Sequence, residues 1–122
     1  MLKKKLKVSR KLFDEVFKNG RYAKSSGLLL KYAFMPGNHP SVSFVVPKTV
    51  AKKAIARNLL KRRGYAAIKK VIEKISPSAI CIFVFQKGSS ARFGGEKNKI
   101  RYPFLEIEKE INHLLVKARV LI

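Results

Sequence analysis

Hydrophobic and polar positions along the chain alternate in two registers, and the switches between them mark its elements. Leu12, Phe13, Val16 and Phe17 form two i,i+4 pairs on adjacent rows, which predicts a short amphipathic helix. Ser9 is placed to cap it, and Asn19-Gly20 offers a left-handed stop. A short strand is signalled around Tyr22. The apolar run Leu28-Leu29-Leu30-Lys31-Tyr32-Ala33-Phe34 predicts a longer one, closed by a Pro- and Gly-bearing turn at residues 36–40. A further strand follows at residues 42–46 and stops at Pro47, which has no N–H for a ladder. Residues 50–75 are rich in Ala, Leu, Lys, Arg and Ile and predict one helix, bent at Gly64 and stopped by Ser76-Pro77. Ala79-Ile80-Cys81-Ile82-Phe83-Val84-Phe85 is apolar throughout, as expected of a strand covered on both faces at the centre of a sheet. Residues 87–102 have no period, several Gly and Ser, and five basic side chains, and are read as a mobile basic loop. From Pro103 a last helix carries Phe104, Ile107, Ile111, Leu114, Leu115 and Ala118 on one stripe.

The order is therefore α-β-β-(β)-α-β-α, an α+β fold with a single mixed sheet of about four strands covered by helices. There are no repeats or linkers, and 122 residues suit one domain, residues 1–122.

Charge changes the picture most. The chain has 28 Lys and Arg against 7 Asp and Glu, a formal net charge of +21. With 47% apolar residues it is no disordered basic tail, so the expectation is a folded domain that binds a polyanion. The distribution is uneven. No acid occurs from Val16 to Ile72, a stretch with 13 Lys and Arg, whereas five acids lie at Glu73 or beyond. Such asymmetry suits a binding face with a solvated back face. The segment Met1-Leu2-Lys3-Lys4-Lys5-Leu6-Lys7 lacks the apolar stretch of a signal peptide, and no segment has the roughly 20 apolar residues of a membrane span. A cytoplasmic protein with no membrane partner is expected.

Intrinsic catalysis finds little support. Asp14 and Glu15 are neighbours on a helix and diverge, and Glu106, Glu108 and Glu110 do not converge on one metal ion. His39 and His113 are read as surface residues without partners, and Cys81 as an inert thiol inside a strand. No catalytic or metal-binding residue is assigned.

On the central helix, Arg57, Lys61 and Tyr65 fall on one stripe with Asn58 and Arg62 on the next, and Ile55, Leu59 and Ala66 lie roughly opposite. Arg forks bind phosphate oxygens bidentately, and Asn can both donate and accept toward a base edge or 2′-hydroxyl. The face has no acidic i±4 partner, which a merely solvated helix normally has. Base stacking would need aromatic platforms, and Phe13, Phe17, Tyr32, Phe34 and Phe44 lie on elements that could line a cleft. On helical spacing alone Phe13 and Phe17 read more often as core residues than as cleft residues.

The stretch from Lys48 through Ala51, Lys52, Lys53, Arg57 and Asn58 to Lys61-Arg62 resembles the signature helix of the protein component of bacterial ribonuclease P, with its Arg-Asn-x-x-Lys-Arg core. Phe13-x-x-x-Phe17-x-x-Gly20 is similar to that family's first helix, and residues 102–118 to its last. The chain departs from the pattern where Tyr65 stands in place of the family's usual further Arg and Ala51 in place of Gly, in carrying Gly64 inside the helix, and in a loop from Gly88 to Lys99 longer than is typical. The resemblance implies a left-handed βαβ crossover, against the usual hand. It also implies a non-catalytic subunit of an endoribonuclease whose active site belongs to an RNA. That RNA uses Mg²⁺ to cut precursor tRNA and leave the mature 5′ end. The expected partners are ribonuclease P RNA and precursor tRNA, with no obligatory protein partner. The RNA-binding residues would be Lys48, Lys52, Lys53, Arg57, Asn58, Lys61, Arg62 and Tyr65, and the 5′-leader cleft would be lined by Phe13, Phe17, Tyr32 and Phe44. The competing expectation is a small ribosomal or general RNA-binding protein with no part in cleavage.

Overall fold

A computed structural model describes residues 8–25, 27–35, 37, 40–86 and 103–121. The basic loop expected at 87–102, the N-terminal run 1–7 and most of the 36–40 turn, His39 included, lie outside those residues.

Helix α1, Arg10–Asn19, begins where the Ser9 hydroxyl accepts a hydrogen bond from the Leu12 N–H at 3.3 Å. Its end differs from expectation. Gly20 has φ −74° and ψ 165°, so no left-handed residue closes the helix. The glycine is required sterically instead: a β-carbon there would lie 2.5 Å from the Val16 carbonyl oxygen and 2.9 Å from that of Tyr32. The chain then enters strand β1, Arg21–Lys24, which pairs antiparallel with β2, Leu28–Phe34. Strands β3, Ser41–Val45, and β4, Ala79–Phe85, complete a mixed sheet of order β1-β2-β4-β3. β2 and β4 are antiparallel, β3 and β4 parallel. As its unbroken apolar run predicted, β4 lies inside the sheet with all seven residues buried.

Parallel neighbours need a long crossover. Helix α2, Ala54–Val71, provides it and tightens into a 3-10 turn at Ile72–Lys74. It starts later than the sequence suggested. Val50 and Ala51 are buried in a turn closed by hydrogen bonds from both their N–H groups to the Pro47 carbonyl. Helix α3, Pro103–Lys117, packs against α2 and the β1–β2 end of the sheet, burying Ile107, Ile111, Leu114 and Leu115 as expected.

The sheet has apolar material on both faces. Leu28, Leu30, Val42, Phe44, Cys81, Phe83 and Phe85 face α2 and α3. On the reverse, Val16 of α1 packs on Ile80, Ile82 and Val84, flanked by Leu12, Phe13, Leu29 and Val45. A single ten-residue helix cannot cover four strands, so Lys31, Ser41 and Ser43 stay half-exposed beside it.

The inward face of α2 is not the side of Ile55, Leu59 and Ala66. Leu60, Gly64, Tyr65, Ala67 and Ile68 are buried, while Ile55 is 82% exposed, Ala66 exposed and Leu59 half-exposed. Ala56, Leu60, Gly64, Ala67, Ile68 and Val71 recur at i, i+4, i+8, i+11, i+12 and i+15, a single stripe that packs on the core, and Ile55, seven residues before Arg62, falls on the opposite side. Gly64 lets that stripe approach closely, because its missing side chain admits the Phe44 ring, whose nearest atom would be 2.5 Å from a β-carbon. It serves close packing, and the helix runs unbroken through it. A second correction concerns α3. Glu110 is no solvated back-face acid: only 7% exposed, its carboxylate accepts from the Gly27 N–H at 3.0 Å and from the Ser25 hydroxyl.

Candidate nucleic-acid interface

The turn before α2 and its first two turns build a cationic surface. Lys48, Lys52, Lys53, Asn58 and Arg62 are exposed, and Arg57 and Lys61 are half-buried at its edge. Lys53, at the helix N-cap position, has no side chain able to cap. Arg57 reaches back to the preceding turn without capping the helix, since a guanidinium has no acceptor for its first N–H groups. One of its terminal nitrogens donates to the Ala51 carbonyl at 3.0 Å and the Lys52 carbonyl at 2.6 Å. Arg57 thus holds the shape of the loop that carries Lys48, Lys52 and Lys53, and its remaining donors point from that anchored position. Asn58 and Arg62 have no partner among the described residues. With Lys69 they share an exposed stripe with Ile55, which lies seven residues before Arg62 on the same side of the helix. Arg63 is half-buried, and desolvation lowers its guanidinium below the ordinary arginine value.

Tyr65 does not belong to this surface. It is 6% exposed; its hydroxyl accepts from the Phe44 N–H at 3.3 Å, and the two rings meet edge to face at 4.9 Å. Tyr65 therefore satisfies a strand N–H in the interior. Phe44 is equally enclosed, stacked on Phe83 at 5.0 Å, and offers no ring face to a base.

The four aromatics expected in one cleft divide between the two faces of the sheet. Phe13 and Phe17 lie on α1, with ring centroids 5.5 Å apart and planes 10° from parallel. The Lys31 ammonium sits 4.2 Å from the Phe17 ring centroid and donates to the Phe17 carbonyl at 2.6 Å. Ser43 accepts from the Val8 N–H at 3.3 Å on the same side. This cluster of aromatic rings, an ammonium and a hydroxyl beside half-exposed strands has the composition of a single-strand site. Tyr32, next to Lys31 in sequence, points to the opposite face with Phe44, and its ring meets Phe34 at 6.2 Å. Alternation along β2 separates Lys31 from Tyr32, but only the position of α1 decides which of them joins Phe17.

Other chemistry is sparse. Cys81 is fully buried, and burial pushes its thiol up to about 12. His113 is exposed on α3. Among the described residues no three His, Cys, Asp or Glu side chains converge, and no helix is long and apolar enough to cross a membrane.

The arrangement has relatives. The RNase P protein of Staphylococcus aureus superposes with a TM-score of 0.77 over 94% of this chain and 95% of its own, at 17% identity. The RNase P protein of Thermotoga maritima gives 0.77 over 91% and 96%, at 20% identity. At those identities the likeness establishes the fold. In sequence, the ribonuclease P protein component of Synechococcus sp. is 26% identical over 117 residues, spanning 93% of this chain and 80% of the relative. A family model described as Ribonuclease P matches residues 2–119, nearly the whole chain, including the Arg57-Asn58-x-x-Lys61-Arg62 helix and α1. The chain belongs to the ribonuclease P protein family.

Proposed function

We propose that this chain is the protein subunit of a ribonuclease P ribonucleoprotein, binding the catalytic RNA through the N-terminal half of α2 and the 5′ leader of precursor tRNA beside α1. The carrying observation is the acid-free surface of Lys48, Lys52, Lys53, Asn58, Lys61 and Arg62, held in shape by Arg57, in a chain that matches this family over almost its full length. Phosphates meet Lys and Arg there, and Asn58 supplies a donor and an acceptor to a base edge or 2′-hydroxyl. On the reverse face Phe13, Phe17 and Lys31 offer rings and a charge to an unpaired strand. Mg²⁺, in this reading, is held mainly by the RNA and supplies the chemistry of phosphodiester cleavage. The protein positions RNA and leader, and is inert alone.

Reconstitution tests this directly. Purified protein, a ribonuclease P RNA and precursor tRNA are mixed at near-physiological Mg²⁺. The expected result is stimulated 5′ cleavage and tighter binding of leader-bearing than of mature tRNA. Absence of both leaves a general RNA-binding protein, and cleavage by protein alone overturns the assignment of chemistry to the RNA. Arg62→Ala should weaken RNA binding with thermal stability unchanged. Arg57→Ala should lower both, because it also frees the Ala51 and Lys52 carbonyls, whereas Lys109→Ala on the exposed back of α3 should change neither.

A further inference from the structure

A second cationic and aromatic site lies away from both surfaces described above. Where the C-terminal end of α3 meets the β1–β2 edge, Arg21, Tyr32, Phe34, Lys117, Ala118 and Arg119 line a hollow of about 360 Å³. Its formation follows from strand register. Arg21 pairs with Tyr32 across the β1–β2 ladder, and Phe34 is two residues further along β2, so the three share one face. Phe34 is 51% exposed and meets Tyr32 edge to face, leaving a ring face open. Lys117 reaches across to the Lys24 carbonyl at 3.1 Å, which seats its ammonium over the strand edge instead of on its own helix end. Arg119 has φ 58°, in the left-handed region where Gly or Asn is favoured. A residue that occupies this conformation and still carries a guanidinium contributes something glycine would not. Three cations line the hollow and no acid does, so an anion is favoured despite the negative end of the α3 dipole.

We propose that this hollow binds one nucleotide unit, with a base on the Phe34–Tyr32 rings and a phosphate among Arg21, Lys117 and Arg119. Its size falls within the range of small-ligand sites. The same chemistry is presented by a free nucleotide and by an unpaired residue of an RNA strand. The site also makes the end of α3 a working surface, in the part of the chain whose acids suggest a solvated back face.

An amide-resolved NMR titration of the full chain, with 5′-AMP and separately with a short oligouridine, tests the site without ribonuclease P RNA or tRNA. The Arg21, Tyr32, Phe34 and Arg119 amides should shift, and Phe34→Ala or Arg119→Gly should weaken that response about tenfold, as loss of a stacking platform or phosphate contact does. Both variants keep the fold, because one truncates an exposed ring and the other installs glycine at a positive φ; unchanged amide spectra elsewhere verify this. Shifts with oligouridine alone assign the site to a residue within an RNA strand, and shifts with both probes extend it to free nucleotides. The proposal is overturned if neither probe moves these four amides, or if both variants titrate like the parent chain.

Discussion

Phe44 is held on three sides, by Phe83 stacked at 5.0 Å, Tyr65 edge-on at 4.9 Å and Phe85 at 6.2 Å, so its ring cannot retreat from Gly64. Gly64→Ala therefore brings two opposed effects. Helix propensity gains up to about 1 kcal/mol, while overpacking a rigid aromatic cluster costs about 1–3 kcal/mol. Net destabilisation is expected, read as a lower urea midpoint at unchanged slope, and a stabilised variant would show that the cluster gives way. Cys81 couples stability to pH. Its thiol, ordinarily near 9.0, is held up to about 12 by burial, so above pH 9 the unfolded chain binds fewer protons than the folded one and stability falls as pH rises. The slope reaches at most about 1.4 kcal/mol per pH unit. Cys81→Ala removes this dependence, so its stability deficit at neutral pH should narrow on going to about pH 11 in matched thermal melts. A constant deficit would mean that the thiol ionises without cost.

The elements are unevenly legible in the sequence, for different physical reasons. β4 and α3 were plain because each has a single apolar pattern: an unbroken run for a strand covered on both faces, and one stripe for a helix with one buried side. α2 differs from expectation because Ile55, Leu59 and Ala66 compete with a second apolar stripe, Ala56, Leu60, Ala67, Ile68 and Val71, and it is this second stripe, with Gly64 admitting the Phe44 ring, that packs on the core. The acids of α3 were misread for a related reason. Sequence marks Glu110 as charged, and only the fold places it over the Gly27 N–H and the Ser25 hydroxyl at the β1–β2 connection. Removing a carboxylate that satisfies a buried donor costs about 1–3 kcal/mol. Glu110→Ala should accordingly lower the melting temperature by more than truncating Glu108, whose bond to Lys70 at 2.9 Å is partly exposed. Equal losses would show that the Ser25–Gly27 connection does not depend on the carboxylate.

Across the whole molecule the excess of +21 favours polyanions, and its distribution decides where that attraction is strongest. If the α2 surface and its surroundings neutralise about six to ten phosphates, binding to the RNA should weaken by roughly 10³ to 10⁵ between 50 and 200 mM salt. A filter-binding series over that range measures the slope, and a flat response would refute a phosphate-dominated interface. Arg62→Ala should also flatten the slope by about one contact.

The sequence by itself determined the elements, the mixed α+β class and the acid-free block with its Arg57-Asn58-x-x-Lys61-Arg62 helix, because period, capping and charge are local properties of the chain. The tertiary structure decided which sides of those elements meet. It turned Tyr65 and Phe44 into the interior, set Lys31 on Phe17 and sent Tyr32 to the opposite face. It made Arg57 a brace for its own loop, and brought Arg21 and Arg119, 98 residues apart in sequence, to one hollow. Those outcomes depend on steric fit between distant segments, a β-carbon absent here and a ring present there, and a linear pattern carries no record of that fit.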